Sequence, residues 1–355
     1  MEINVGKNIL IKRGKRPKNL SKYESNFKIS NSIPYPKQSD ICNDSIYLYK
    51  CKTYFKTNLG FNFQPALRGD LLISSSCDIG NVVILDFDIA FIDDKFFNLK
   101  ISKNILKNYV KYWLIKNKKD ISKLGYGTTI KVLYIKPFQK YLNNQFIPSI
   151  NTQQKIINII EPFEKLQNSL KKKINTLEIM MLKIANQSYV LGKMKNFDID
   201  FEKGINIKSI YLTNQKTDKT FINVSAINNK PNKYVLNCEV IENINYGDVV
   251  LSLDGTIGLV NNFLKGVNGY GYKVTSNNIH NSIIYCSLID ERNKKIIQEN
   301  SNGSVIKHSS NSKKELLLLD IQNKNVISFF NLQVIYKKTL NIIDYIIDKL
   351  INLCL

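Results

Sequence analysis

Histidine is nearly missing from this chain: only His280 and His308 occur in 355 residues, beside a single tryptophan. Neither histidine lies near a cysteine pair, so both are expected to be surface or core side chains without catalytic duty. Six cysteines (Cys42, Cys51, Cys77, Cys238, Cys286, Cys354) are scattered, with no C-x-x-C pair. That spacing argues against a disulfide framework and a structural zinc site, and for reduced thiols in a cytoplasmic protein. No metal or cofactor is expected. No stretch nears the roughly 18 uncharged apolar residues that a bilayer-spanning helix needs. The N-terminus lacks the charged-then-apolar pattern of a secretory leader. No G-x-x-x-x-G-K-S/T loop is present to hold ATP. An N-P-P-Y type motif and a glycine-rich loop opening a helix, both needed by a DNA methyltransferase, are missing too. Gly266, Gly269 and Gly271 cluster between strand-like segments and are expected to form a flexible turn.

Acidic residues are also in short supply. Lys and Arg number 51 against 29 Asp and Glu, a formal charge of +22, and only four of the cations are arginines (Arg13, Arg16, Arg68, Arg292). Such a surplus speeds encounter with polyanions, nucleic acid first among them. Apolar residues make up 43% of the chain, enough for more than one buried core.

The chain repeats itself. Residues 69–82 read GDLLISSSCDIGNV and residues 247–260 read GDVVLSLDGTIGLV. Six of the fourteen positions are identical, where composition alone gives about one. Each copy reads as a Gly-Asp turn feeding a strand, then a second glycine turn and a second strand. Asp70 and Asp248 are therefore expected to bond the turn backbone rather than catalyse, although they and Asp254 could be taken for catalytic acids. Further landmarks follow at a similar offset: Gly127-Thr128-Thr129-Ile130-Lys131 matches Gly303-Ser304-Val305-Ile306-Lys307, and Ser39–Asn43 resembles Ser225–Asn229. Helices are expected near Lys103–Lys116 and Ile279–Gln298. Asp198, Asp200, Glu202 and Lys203 resemble nuclease acid–lysine spacing but read as a solvated charge run at the domain junction after Gly192.

Each copy is followed by a long helical segment. From Thr152 to Gln187, Ile156, Ile160, Phe163, Leu170, Ile174, Leu177, Met181 and Ile184 form a 3.5-residue seam, with Gln167 its polar exception. Pro162 predicts a kink or a helix start. From Asn325 to Leu355 the predicted seam reads Phe329, Leu332, Tyr336, Thr339, Ile343, Ile346, Leu350 and Leu353. Two such helices at equivalent places in a duplicated chain are expected to pack on each other. The layout is globular, helix, globular, helix: residues 1–150, 151–192, 193–321 and 322–355. The globular blocks read as mixed α/β (α+β) with short, twisted strands.

In this order of elements the chain resembles the specificity (S) subunits of type I restriction–modification systems. The series begins with a G-x-x-P opening at Gly14–Pro17, an I-P-Y at Ile33–Tyr35 and an S-D-I at Ser39–Ile41. It continues with the G-D-L-L-I-S strand, the G-T-T-I landmark, Ile147-Pro148, a Q-Q-K-I helix start at Gln153–Ile156 and a long helix, and it then recurs. The resemblance covers nearly the whole chain; the duplicated series, not any one motif, is its specific part. It implies two pseudo-symmetric target-recognition domains separated by two long antiparallel coiled-coil helices. Each domain would read one half of a split site in double-stranded DNA. The subunit would dock two methyltransferase (M) subunits and recruit translocase–nuclease (R) subunits, which do the chemistry. The chain departs from the family in its short closing segment, its brief lead-in, and the absence near Asp320–Asn325 of the proline and paired glutamines found at the first helix. These departures put docking of the M subunits, above all, in question and allow a truncated S product.

Arginine and lysine pair with guanine edges, asparagine and glutamine with adenine, and other lysines grip phosphates. The candidate DNA-binding residues are Lys12, Arg13, Lys15, Arg16 and Lys18 in the first domain and Lys208, Gln215, Lys216, Lys219, Lys230 and Lys233 in the second. Two other classes compete: a methyltransferase or nuclease with divergent motifs, and a stand-alone DNA-binding or scaffold protein.

Overall fold

The computed structural model describes residues 2–41, 47–48, 50–236, 240–303 and 307–355. Cys42, Asn43, Cys238, Ser304, Val305 and Ile306, named above, lie outside the described residues. The chain divides into two units, Met1–Asn168 with Ile343–Leu355, and Ser169–Ile342.

The first unit is built on a five-stranded sheet. Its strands are β1 (Ile9–Arg13), β2 (Tyr47–Leu48), β3 (Leu71–Ser74), β4 (Val82–Leu85) and β5 (Phe96–Ile101). They stand in the order β1-β5-β3-β4-β2, antiparallel except for the β4–β2 pair. All four residues of β3 and of β4 are buried, as expected for a continuous apolar run covered on both faces. Leu72, Val83, Leu85, Ala90 and Phe96 pack there. A separate aromatic cluster of Tyr35, Phe55 and Phe91 closes the segment between β1 and β3, with the Phe55 and Phe91 rings stacked at 3.8 Å. The helix expected near Lys103 begins later, as α1 (Lys107–Lys116), and α2 (Ile135–Asn143) follows.

α3 (Ile150–Gln187) is continuous through Pro162. Pro162 therefore neither starts nor ends a helix. The hydrogen bond it cannot donate is lost on an exposed position, while Ile157, Ile160 and Glu164 keep the buried face intact on either side. Gln153 fixes the start of α3: its amide donates to the Pro148 carbonyl (2.7 Å) and accepts from the Leu106 backbone (2.8 Å).

The second unit repeats the sheet. β6 (Asp200–Lys203), β7 (Val249–Leu251), β8 (Val260–Asn261) and β9 (Tyr272–Thr275) stand in the order β6-β9-β7-β8, the arrangement of β1-β5-β3-β4. Register matches too: Leu71 lies opposite Leu99 as Val249 lies opposite Val274, and Ile11 opposite Leu99 as Phe201 opposite Val274. The single helix expected over 279–298 is two, α4 (Asn281–Ile289) and α5 (Glu291–Glu299). Asp290 breaks it by taking extended backbone and capping α5 through the Arg292 amide. Gly266, Gly269 and Gly271 are not a flexible turn. A Cβ on Gly269 would lie 2.1 Å from the Phe221 ring and one on Gly271 2.4 Å from Val250, and the Asn268 side chain bonds both backbone groups of Gly271 at 3.0 Å. Asp200–Lys203 forms the edge strand β6, and Asp198, Asp200, Glu202 and Lys203 are exposed.

α6 (Asn325–Cys354) runs antiparallel to α3. In the first unit Gln167 donates to Asp344 (2.6 Å), and in the second Gln333 donates to Glu178 (3.0 Å). On α3, Ile156, Ile160, Leu170, Ile174, Leu177 and Met181 are buried; Phe163 and Ile184 are half-buried, and Glu164 and Ala185 take the buried places beside them. On α6 the buried stripe is Val326, Phe330, Gln333, Val334, Ile343, Ile347 and Ile351. It lies one residue beside the predicted one. Of the predicted positions only Ile343 is buried. Phe329, Tyr336, Thr339, Ile346 and Leu350 are half-buried, and Leu332 (38%) and Leu353 (81%) are exposed. Apolar residues occupy two adjacent rows of α6, and the row that packs is the one whose polar members find partners. No helix among the described residues is long and apolar enough to cross a membrane.

Candidate nucleic-acid interface

The two Gly-Asp turns are superimposable in their bonding. Gly69 and Gly247 have φ of +83° and +100°, a conformation side chains disfavour. The Asp70 and Asp248 carboxylates each accept from the backbone amide three residues back, Leu67 (3.0 Å) and Asn245 (2.8 Å). Each also meets a lysine on the neighbouring strand, Lys100 (2.6 Å) and Lys273 (2.9 Å). Burial opposes ionisation of Asp70, but the Lys100 ammonium, the Leu67 amide and the Asn98 amide outweigh it and hold the acid below its ordinary range. Both aspartates are thus turn braces. Beyond each first strand comes the second glycine turn: Gly80 donates to the Ser74 carbonyl (3.0 Å) and Gly258 to that of Ser252 (2.8 Å).

The sheets agree, but the segments between the first strand and the Gly-Asp turn do not. In the first unit this insert folds as a small three-stranded sheet, Glu24–Ser25, Tyr54–Lys56 and Ser32–Pro34. In the second it holds a two-residue pair, Leu212–Thr213 with Tyr234–Val235. Lys15, Arg16 and Lys18 open the first insert and are exposed. Lys208, Gln215, Lys216, Lys230 and Lys233 are exposed on the second. Lys219 is half-buried and donates to the Val240 carbonyl (2.8 Å). Lys12 and Arg13 lie on β1 rather than in a loop. Arg13 is anchored by the Asp94 carbonyl (3.0 Å), and Lys12 reaches Gln64 (3.4 Å).

Sequence reasoning used the Gly127–Lys131 run only as a landmark. Its neighbour Tyr126 lines an open hollow together with Arg13, Tyr134, Ile135, Lys136 and Pro137. The signal that could have shown it was the run Tyr126–Lys131, which follows Gly125, contains Gly127 and recurs in part at Gly303–Lys307.

The histidines do structural work. His280 accepts from the Ser282 amide (3.1 Å) at the start of α4, and His308 bonds Asp254 (2.8 Å). Asp198 accepts weakly from Asn277 and Asn278. The four described cysteines are free, and no group of three metal-ligating side chains occurs among the described residues.

Residues 7–178 match the family described as the type I restriction modification DNA specificity domain. Over that stretch, just under half of its length, the chain is similar to the type I restriction–modification specificity family. Among solved structures, a type I restriction–modification S subunit from M. genitalium is 15% identical, covers 99% of this chain and 94% of its own, and has a TM-score of 0.49. The HsdS subunit from Thermoanaerobacter tengcongensis is 12% identical over 100% and 94%, at a TM-score of 0.33. A structure from work on assembly and conformational transition of the type I R-M system is 13% identical over 100% and 95%, also at 0.33. No curated protein matches the chain. The family match spans the first unit's sheet and most of α3, so the specificity domain includes the Gly-Asp turn and the hairpin at Tyr126–Val132.

Proposed function

We propose that this chain is the DNA-sequence specificity subunit of a type I restriction–modification complex, reading a bipartite duplex site. The observation that carries the reading is one sheet, built twice in the same strand order and register, bearing two inserts that differ in length, fold and side chains. A common frame with divergent inserts suits two readers of unlike half-sites. Residues 1–150 and 193–321 are the readers, and residues 151–192 and 322–355 the spacers that hold the unread gap. The partners are double-stranded DNA, two methyltransferase subunits and the translocase–nuclease subunits, in the cytoplasm. The excess of 22 positive charges supports a DNA partner.

Base contacts come from the exposed cations and amides of the inserts and from Arg13 at the end of β1, with Arg13 and Arg16 serving the first half-site. Mapping methylated positions in host genomes with and without this gene tests the reading. A split motif should vanish when the gene is removed; an unchanged methylome overturns it. In the same assay, replacing Arg13 and Arg16 together with alanine should relax one half of the motif and leave the other intact.

A further inference from the structure

The glycine-marked landmark is closed by the same backbone bonding in both units. Tyr126 and Val132 exchange both backbone hydrogen bonds (2.9 and 2.8 Å), and so do Asn302 and His308 (2.9 and 2.8 Å). In each unit the closing residue pairs with the strand end that follows the first Gly-Asp strand: Ser76 with Val132 and Asp254 with His308. Even the unusual backbone recurs there, with Cys77 at φ +56° and Gly255 at +74°. Gly127 and Gly303 have φ of +121° and +104°. A Cβ on Gly127 would lie 2.3 Å from the Ile130 carbonyl, so this turn closes only with glycine.

The tip of the first hairpin faces solvent: Tyr126 is 62% and Ile130 58% exposed, and Thr128, Thr129 and Lys131 are exposed with them. Among the described residues, no backbone N–H between Tyr126 and Val132 donates to another backbone group, and neither threonine hydroxyl is bonded. The ammonium groups of Lys131 and Lys307 form no ion pair among the described residues, and both residues are exposed. An exposed strip of open amides, hydroxyls and one unpaired ammonium is chemistry for an anionic oxygen.

In sequence, the glycine, isoleucine and lysine of Gly127–Lys131 recur in Gly303–Lys307, whereas the inserts share no such run. An element common to two readers of different sequences suits what is common to any two half-sites, the sugar–phosphate backbone. We propose that the hairpin at Tyr126–Val132 and the matching site at Asn302, Gly303, Lys307 and His308 are paired phosphate grips, with Lys131 and Lys307 as their cations, that set the register of each reader without reading bases. This rests on the specificity reading above.

The test is binding of the purified full-length chain to two duplexes, one carrying the split motif found by methylation mapping and one of unrelated sequence, across salt from about 50 to 200 mM. Lys131→Gln and Lys307→Gln should each weaken both duplexes by the same factor. Each should also lower the slope of log affinity against log salt by about 0.9, so that about 3.5-fold less affinity is lost across that range. Lys131→Arg should restore the slope, which a merely structural role would not require. Wild-type protein that holds either duplex while the glutamine variants keep its full slope overturns the inference alone. So does a loss confined to the motif duplex, which marks base reading, or intact DNA binding with lost capture of a methyltransferase subunit. Wild-type protein that holds neither duplex sinks the specificity reading as well.

Discussion

The two units join the same sheet to the helices through different chemistry. In the first, Lys111 of α1 meets Glu164 of α3 at 2.7 Å with both side chains out of water, and the Tyr112 hydroxyl donates to the same carboxylate oxygen (2.6 Å). In the second, Asn262 donates to Gln333 of α6 (2.7 Å), Gln333 to Glu178 of α3 (3.0 Å), and Lys337 to Asn262 (3.1 Å), while 44% of the Glu178 side chain remains exposed. Burial pulls both the Lys111 and the Lys337 amines below the ordinary lysine range, against the pull of their carboxylates. The difference separates two kinds of constraint. The glycine turns and sheet register depend on backbone geometry that few residues can adopt, and they recur. An interior polar contact needs only to be satisfied, which many residue pairs can do, and it has diverged.

The sharpest break in this comparison comes from removing Glu164. Glu164→Ala leaves the Lys111 ammonium buried without a partner and should cost about 3–5 kcal/mol. Lys111→Met with Glu164→Gln removes both charges and keeps an acceptor for Tyr112, and it should recover most of that loss. Urea unfolding midpoints of the three proteins decide the point. A single-variant cost below about 1 kcal/mol would mean that water reaches the pair and that the two locks are alike.

Gln333→Leu probes the neutral lock. It strands the Asn262 amide, which is fully buried, while Glu178 can turn to solvent. A cost of about 2 kcal/mol is expected, smaller than for Glu164→Ala because no charge is left unpaired. The two measurements together rank buried charge against buried amide within one duplicated frame.

Much of this frame was legible in the sequence, for a physical reason. Gly69, Gly80, Gly247 and Gly258 all take positive φ, and a glycine required by backbone geometry leaves its mark in any copy of the repeat. The long helices were legible as periodic apolar runs. Which row of α6 faces inward was not, because Phe329 and Phe330, Ile342 and Ile343, and Ile346 and Ile347 offer two adjacent stripes of equal hydrophobicity. The choice falls to Gln333, Lys337 and Asp344, whose partners lie far away in sequence. The same holds for Glu164: a charged residue next to Phe163 reads as surface until Lys111 is known to face it. Among the interface candidates, exposure of the inserts followed from their composition. The hairpin tips stayed hidden, since a recurring motif is evidence of structure and of contact alike.

The smallest expected effect tests whether the recurring turns are energetically equal. Asp70→Asn and Asp248→Asn each weaken a bond to the turn amide and break one lysine pair, and each should cost about 1.5 kcal/mol at neutral pH. For Asp70 the pH dependence follows from its lowered pKa. A carboxylate more acidic in the folded state stabilises the fold above its unfolded pKa of about 3.9, and that contribution disappears as pH falls through the lower folded value. The Asp70→Asn protein should therefore be less stable than wild type at pH 7, and the gap should close below about pH 4. Unfolding curves at pH 7, 5 and 3 read this directly. If one of the two variants costs nothing at pH 7, the turn in that unit is held by its glycine and register alone, and the equivalence of the two frames is one of shape and not of energy.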